Sequence, residues 1–165
     1  MNWVQVAAQW LHILLGILWF GNSLVLAVLI IPTLNQLPIT QQREFGRLLG
    51  NRAAPLFAVV GPAVILLGFV RGTFLGQIHS IADVFATNYG ITWLVALTVA
   101  SITYLWGKLA IEGTLVHMNT APLNPDGTAT PELEAATNRV KLVAVLELIG
   151  FFVIFTCMIL MRFGM

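Results

Sequence analysis

The chain has 165 residues, of which 58% are hydrophobic and only 9% charged, with a formal net charge of +1. About a quarter of the residues in an ordinary soluble domain are charged, so this composition cannot cover a water-facing surface. The near-neutral balance offers no basic field for nucleic acid. The single cysteine, Cys157, excludes an internal disulfide, a CxxC pair and thioether attachment of haem.

Four apolar blocks each reach the roughly 20 residues that a helical crossing of a bilayer needs. Neither a positive n-region nor a small-residue cleavage site accompanies the first block, so it reads as a retained span. The first predicted helix covers 3–31 and stops at Pro32. It is longer than a crossing, which implies tilt or projection from the membrane. The polar stretch 33–51, with Arg43, Glu44 and Arg47, reads as a short helix along the membrane surface. A second span covers 53–74, where Pro55, Gly61, Pro62 and Gly68 predict a kink near Pro62. The linker 76–89 carries His79 and Asp83.

The third span covers 90–111, with an extension to 118 left open. A Pro-, Asn- and Gly-bearing loop over 119–131 follows, and Thr130-Pro131 inside it marks a helix start. The fourth span covers 139–163. The expected architecture is all-α and integral to the membrane: one four-helix transmembrane domain over 1–165, in up-down topology.

Basic residues in short loops set the expected orientation. Arg43, Arg47, Arg52, Lys108, Arg139 and Lys141 fall at one end of the helices, against Arg71 and Arg162 at the other. That bias puts both termini on the outer face of a bacterial inner membrane.

Gln9, His12, Gly16, Trp19 and Ser23 share one face of the first helix. An ionisable residue inside a membrane is costly and is a functional candidate by default. His12 can be a haem or metal ligand, with Gly16 and Trp19 flanking a flat ring. It can equally be a bundle histidine that hydrogen-bonds across to another helix. On the topology above, His79 lies on the same side of the membrane and offers a second axial ligand, or is a solvated linker residue. Arg71 is placed to hold a propionate and Trp93 to flank the ring. His117 lies at the opposite end and cannot join them. Met158, Met161 and Met165 form a thioether stripe on the last helix, suited to copper(I) or an axial haem bond, or to plain apolar packing. Glu147, buried two turns into the fourth helix, calls for a partner, and Lys108 is expected to supply an inter-helix ion pair.

The segment Trp10-Leu11-His12-Ile13-Leu14-Leu15-Gly16-Ile17-Leu18-Trp19-Phe20-Gly21 resembles the first-helix signature of the CopD-like group of small membrane proteins, which includes the HemJ-type protoporphyrinogen oxidases. The resemblance covers helix one and implies haem b binding through His12, with Gly16, Trp19 and Gly21 as its setting. Residues and resemblance together give the expectation of a membrane-embedded cytochrome b. Such a protein is an electron carrier more than a complete oxidoreductase, working with a quinol or a redox partner protein and with further copies of itself as an open alternative. The two other readings are a copper transport or resistance protein and a cofactor-free accessory subunit.

Overall fold

The computed structural model describes residues 2–164, apart from the side chains of 111, 112 and 114–119, so His117 and Met165 lie outside the described residues. Four helices are long and apolar enough to cross a membrane: Trp3–Leu34, Ile39–Gly72, Asn88–Ala110 and Pro131–Arg162. Their outward faces carry bare apolar side chains, among them Trp10, Ile17, Leu66, Leu109 and Phe155. In water such a surface would aggregate; against lipid it is the solvated surface. The protein is an integral membrane protein.

The Asn2 side chain opens α1 (Trp3–Val25) by accepting the Val4 N–H at 3.1 Å. A single π turn (Leu26–Ile30) then leads into α2 (Ile31–Leu34), so the helix runs through Pro32 instead of ending there. Proline donates no N–H and its ring crowds the preceding turn. A π turn just before it is the local rearrangement that keeps the chain helical.

The next difference is larger. The polar stretch and the second span form one 34-residue helix, α3 (Ile39–Gly72), with both Pro55 and Pro62 inside it. No proline stands between Ile39 and Arg52, so the expected surface helix is the first third of a membrane helix. The linker folds a short helix, α4 (Ile81–Ala86), and α5 (Asn88–Thr120) follows it. α6 (Pro131–Arg162) begins eight residues before the expected start of 139. Thr130 accepts the Leu133 N–H at 3.4 Å, Pro131 occupies the first turn, and Glu132 and Glu134 sit at the positive end of the helix dipole. Apolarity marks where membrane begins; capping marks where the helix begins.

Small residues let the helices approach. A Cβ added to Gly61 would run into the Tyr104 ring, one on Gly72 into the Trp93 indole, and one on Gly150 into Thr103. These contacts join α3 to α5 and α5 to α6. α1 is held to the turn just after α3 by the Gln5 side chain, which donates to the Leu75 carbonyl at 2.9 Å. Arg43 near the start of α3 donates to the Ala121 carbonyl beyond α5. Aromatic rings fill the centre. Trp19 meets Phe151 edge-on at 4.9 Å between centroids and Tyr104 at 6.1 Å, over Val60.

α4 carries a capping box. The Asp83 carboxylate accepts the backbone N–H of His79 at 2.9 Å and of Ser80 at 2.8 Å, and Ser80 Oγ accepts the Asp83 N–H. The His79 N–H, then the Ser80 hydroxyl and N–H, hold the carboxyl below the usual carboxylate range. A folded-state pKa lowered in this way stabilises α4 above the unfolded value, and that contribution is lost as pH falls through the folded value. The backbone 13C shifts of Ile81–Ala86 should therefore stay helical through mildly acidic pH. They should lose that character only below the ordinary carboxylate range, in a step that Asp83→Ala abolishes.

Candidate functional site

His12 is 8% exposed, one of the few buried polar residues of the chain. The fold seats it against α3. A Cβ on Gly68 would stand 3.2 Å from His12 Cε1, so the missing side chain there is what admits the ring. The imidazole meets the Val64 backbone carbonyl. Its Nδ1 is buried with no hydrogen-bond partner. An orphaned polar atom in an apolar interior costs about 1–3 kcal/mol, so natural structures keep few of them.

The surroundings of that nitrogen are specific. Arg71, partly buried near the end of α3, lies within electrostatic reach of both His12 and Tyr89. No carboxylate pairs with Arg71 among the described residues. Trp93 Nε1 donates to the Gly68 carbonyl at 3.2 Å, so Trp93 and His12 both bear on the same glycine. One turn along α1 from His12, a Cβ on Gly16 would meet nothing within 4 Å. Gly16 is therefore not a packing glycine in this chain. It borders open space one turn from His12.

Other expected site residues fall elsewhere. His79 is exposed at the entry to α4, and shares a shallow hollow with Trp93, Phe69 and Ile78 of which His12 is no part. Trp19 lies in the aromatic core, well along α1 from His12. Met158 and Met161 are half-buried on α6. Phe20 packs on Phe152 at 5.9 Å and Phe155 at 6.1 Å, rings of the helix that carries the two methionines. Among the described residues no group of three or more His, Cys, Asp or Glu side chains could hold a metal ion.

The expected Lys108–Glu147 ion pair is corrected. Both residues line one cavity, yet no ion pair joins them; the one found among the described residues is Arg47–Glu44. The Glu147 carboxyl turns instead toward the Ser23 hydroxyl and the Trp19 indole N–H of α1, over Gly107. Neutral donors face it inside the bundle, and Lys108, an exposed residue, borders the same cavity. Lys108→Met should accordingly leave the thermal midpoint nearly unchanged, within about 0.5 kcal/mol, whereas breaking a buried pair costs about 3–5 kcal/mol.

That cavity has a volume of about 290 Å³. Trp19, Ser23, Tyr104 and Glu147 line its deep part, and Gln42 and Lys108 are among its other lining residues. It forms because the segment after the π turn does not pack on the first half of α3.

Sequence reasoning missed the seat that Gly68 gives His12, having read that glycine only as part of a kink, and it missed Gly107 and the cavity. A signal for the first existed: Gly61, Gly68 and Gly72 recur at spacings of seven and four on one helix face, the pattern of a close helix approach. Comparison with protein-family models, with curated proteins and with solved structures found no match.

Proposed function

We propose that this chain is a membrane-embedded b-type haem protein that transfers electrons, and that His12 is its axial ligand. The observation that carries the reading is the buried, partnerless His12 Nδ1 beside an arginine without a carboxylate. A coordinating imidazole needs an unshared nitrogen lone pair in a water-poor setting, and haem propionates need a cation at the ring's edge. His12 and Arg71 offer that pair on neighbouring helices. No atom stands within 4 Å of where a Cβ on Gly16 would be, and Trp93 borders the same glycine as His12. A buried imidazole and an arginine are the side-chain types that such a group needs. When bound, a b-type haem supplies one-electron transfer.

In this reading the four helices form an up-down bundle in a bacterial inner membrane with both termini outside. The bias of basic residues toward the Arg43 end supports that orientation. The His12 end then faces outward, where a redox partner protein docks. His79, exposed and in a separate hollow, is not required as a ligand.

The test is an absorption spectrum. Protein purified from haem-replete cells should show a reduced-minus-oxidised b-type spectrum at about one haem per chain. A folded, colourless preparation overturns the proposal.

A further inference from the structure

The cavity beside Glu147 lies away from His12 and is not needed to hold a haem. We infer that it binds the ring of a lipid-soluble hydroquinone, with the Glu147 carboxyl accepting a hydrogen bond from one ring hydroxyl. The choice of a hydroquinone rests on the electron-transfer reading proposed above; the cavity and its carboxyl stand without it.

Three features select this chemistry. The cavity sits between membrane helices, where the second half of the first span splays from α3, so its occupant arrives through lipid and is largely apolar. At about 290 Å³ it lies at the small end of ligand sites, which start near roughly 300 Å³ and take a single ring with the first carbons of a tail. Trp19, Tyr104 and Phe57 supply aromatic walls for a flat ring.

The carboxyl itself selects the polar end of the ligand. Ser23 and Trp19 both turn donors toward Glu147. A carboxyl has two oxygens, so acceptor capacity remains beyond those two donors, and Glu147 lines the cavity. The complementary ligand is a donor. An acyl chain alone would leave that capacity unused. A lipophilic ammonium would satisfy it, but the Lys108 ammonium already lines the same cavity and repels a second cation. A phenolic hydroxyl is neutral, donates one hydrogen bond and brings its own flat apolar body.

Gly107 completes the arrangement. A Cβ there would stand 3.2 Å from Glu147 Oε1, so an alanine would press the carboxyl out of position without touching the chemistry of any side chain.

The experiment measures binding of radiolabelled decylubiquinol, kept reduced under anaerobic conditions, to the full chain in nanodiscs against empty nanodiscs. Saturable binding at one equivalent per chain is expected. Glu147→Gln should weaken it about tenfold by replacing a carboxyl that offers two oxygens with an amide that offers one. Gly107→Ala should weaken it in the same direction, and Ala144→Leu, which fills the cavity from α6, should abolish it. Helical circular dichroism of each variant checks that the bundle persists. Non-saturable binding, or saturable binding indifferent to Glu147→Gln and Ala144→Leu, overturns the inference. So does Glu147-dependent binding of dodecylamine in place of the hydroquinone. The same titration on His12→Ala protein separates the two readings. Hydroquinone binding kept by colourless His12→Ala protein shows that the cavity stands without the haem. Wild-type protein that binds hydroquinone but no haem sinks only the axial-ligand assignment, and haem without saturable hydroquinone binding sinks only this site.

Discussion

Replacing His12 by alanine is expected to yield a folded protein that has lost its b-type absorption entirely. The imidazole is the coordinating side chain in the proposed site, and nothing else on that stretch of α1 can replace it; its neighbours are Leu11, Ile13, Leu14 and Leu15. The plain structural alternative is that His12 only bridges to the Val64 carbonyl and that its loss loosens α1 from α3. His12→Gln distinguishes the two. A glutamine amide can donate to that carbonyl but binds haem iron poorly. Under the ligand reading His12→Gln is as colourless as His12→Ala while keeping more of the wild-type thermal stability. Imidazole added to His12→Ala should restore part of the spectrum, because a free ring fits the space the side chain leaves. Full colour in His12→Gln would end the assignment. His79→Ala, an exposed-residue control, should leave the spectrum unchanged.

Gly16 gives a second handle on the same site. Gly16→Ala adds a methyl to open space and replaces the poorest non-proline helix former with the best, so the bundle gains up to about 1 kcal/mol. A bulkier Gly16→Leu should keep that fold and lower haem occupancy. A packing glycine would show the opposite pattern, with stability lost first.

The class of the fold was legible in composition because the bilayer demands it. A chain with so few charges and four long apolar blocks has little alternative to helices that satisfy their own backbone. Helix ends were less legible, and for different reasons at different places. At Pro32 the sequence shows a breaker, but a π turn upstream absorbs it, and no local residue type announces a π turn. At Ile39–Arg52 and 131–138 the residues are polar, and polarity reports the solvent beside a helix more than the helix itself. Asn2, Thr130 and the Ser80–Asp83 box carried the true boundaries.

The site was legible in part. His12 and the small, aromatic face it shares follow from spacing on a single helix. Whether a titratable residue finds a partner depends on pairing between helices far apart in sequence. Lys108 and Glu147 looked complementary by charge and depth, yet the rotation of α6 presents Glu147 to Ser23 and Trp19 instead. The His12 seat likewise depends on Gly68, which stands 56 positions away in the chain. One charge pattern thus gave way to neutral donors, which is the cheaper solution where desolvating two ions is costly.

The largest effect on the fold itself is expected at Gly61. Its α-carbon lies against the Tyr104 ring, and a Cβ built there overlaps that ring. Tyr104 cannot swing aside freely, because Trp19 meets it edge-on at 6.1 Å and Phe151 packs on Trp19 at 4.9 Å. A side chain at position 61 must push α5 from α3 or break the aromatic cluster at the centre of the bundle. Overpacking of this kind costs about 1–3 kcal/mol for an added methyl or two, and more where neighbours are locked. Gly61→Ala should lower the unfolding midpoint in detergent clearly, and Gly61→Leu should leave little folded protein. Gly72→Ala should act in the same direction. The displaced Trp93 indole loses its 3.2 Å bond to the Gly68 carbonyl, so the seat of His12 is disturbed as well. Gly113→Ala, where a Cβ meets nothing within 4 Å, is the matched control and should be neutral or mildly stabilising. Equal tolerance of Gly61→Leu and Gly113→Ala would mean that α3 and α5 do not pack through this glycine.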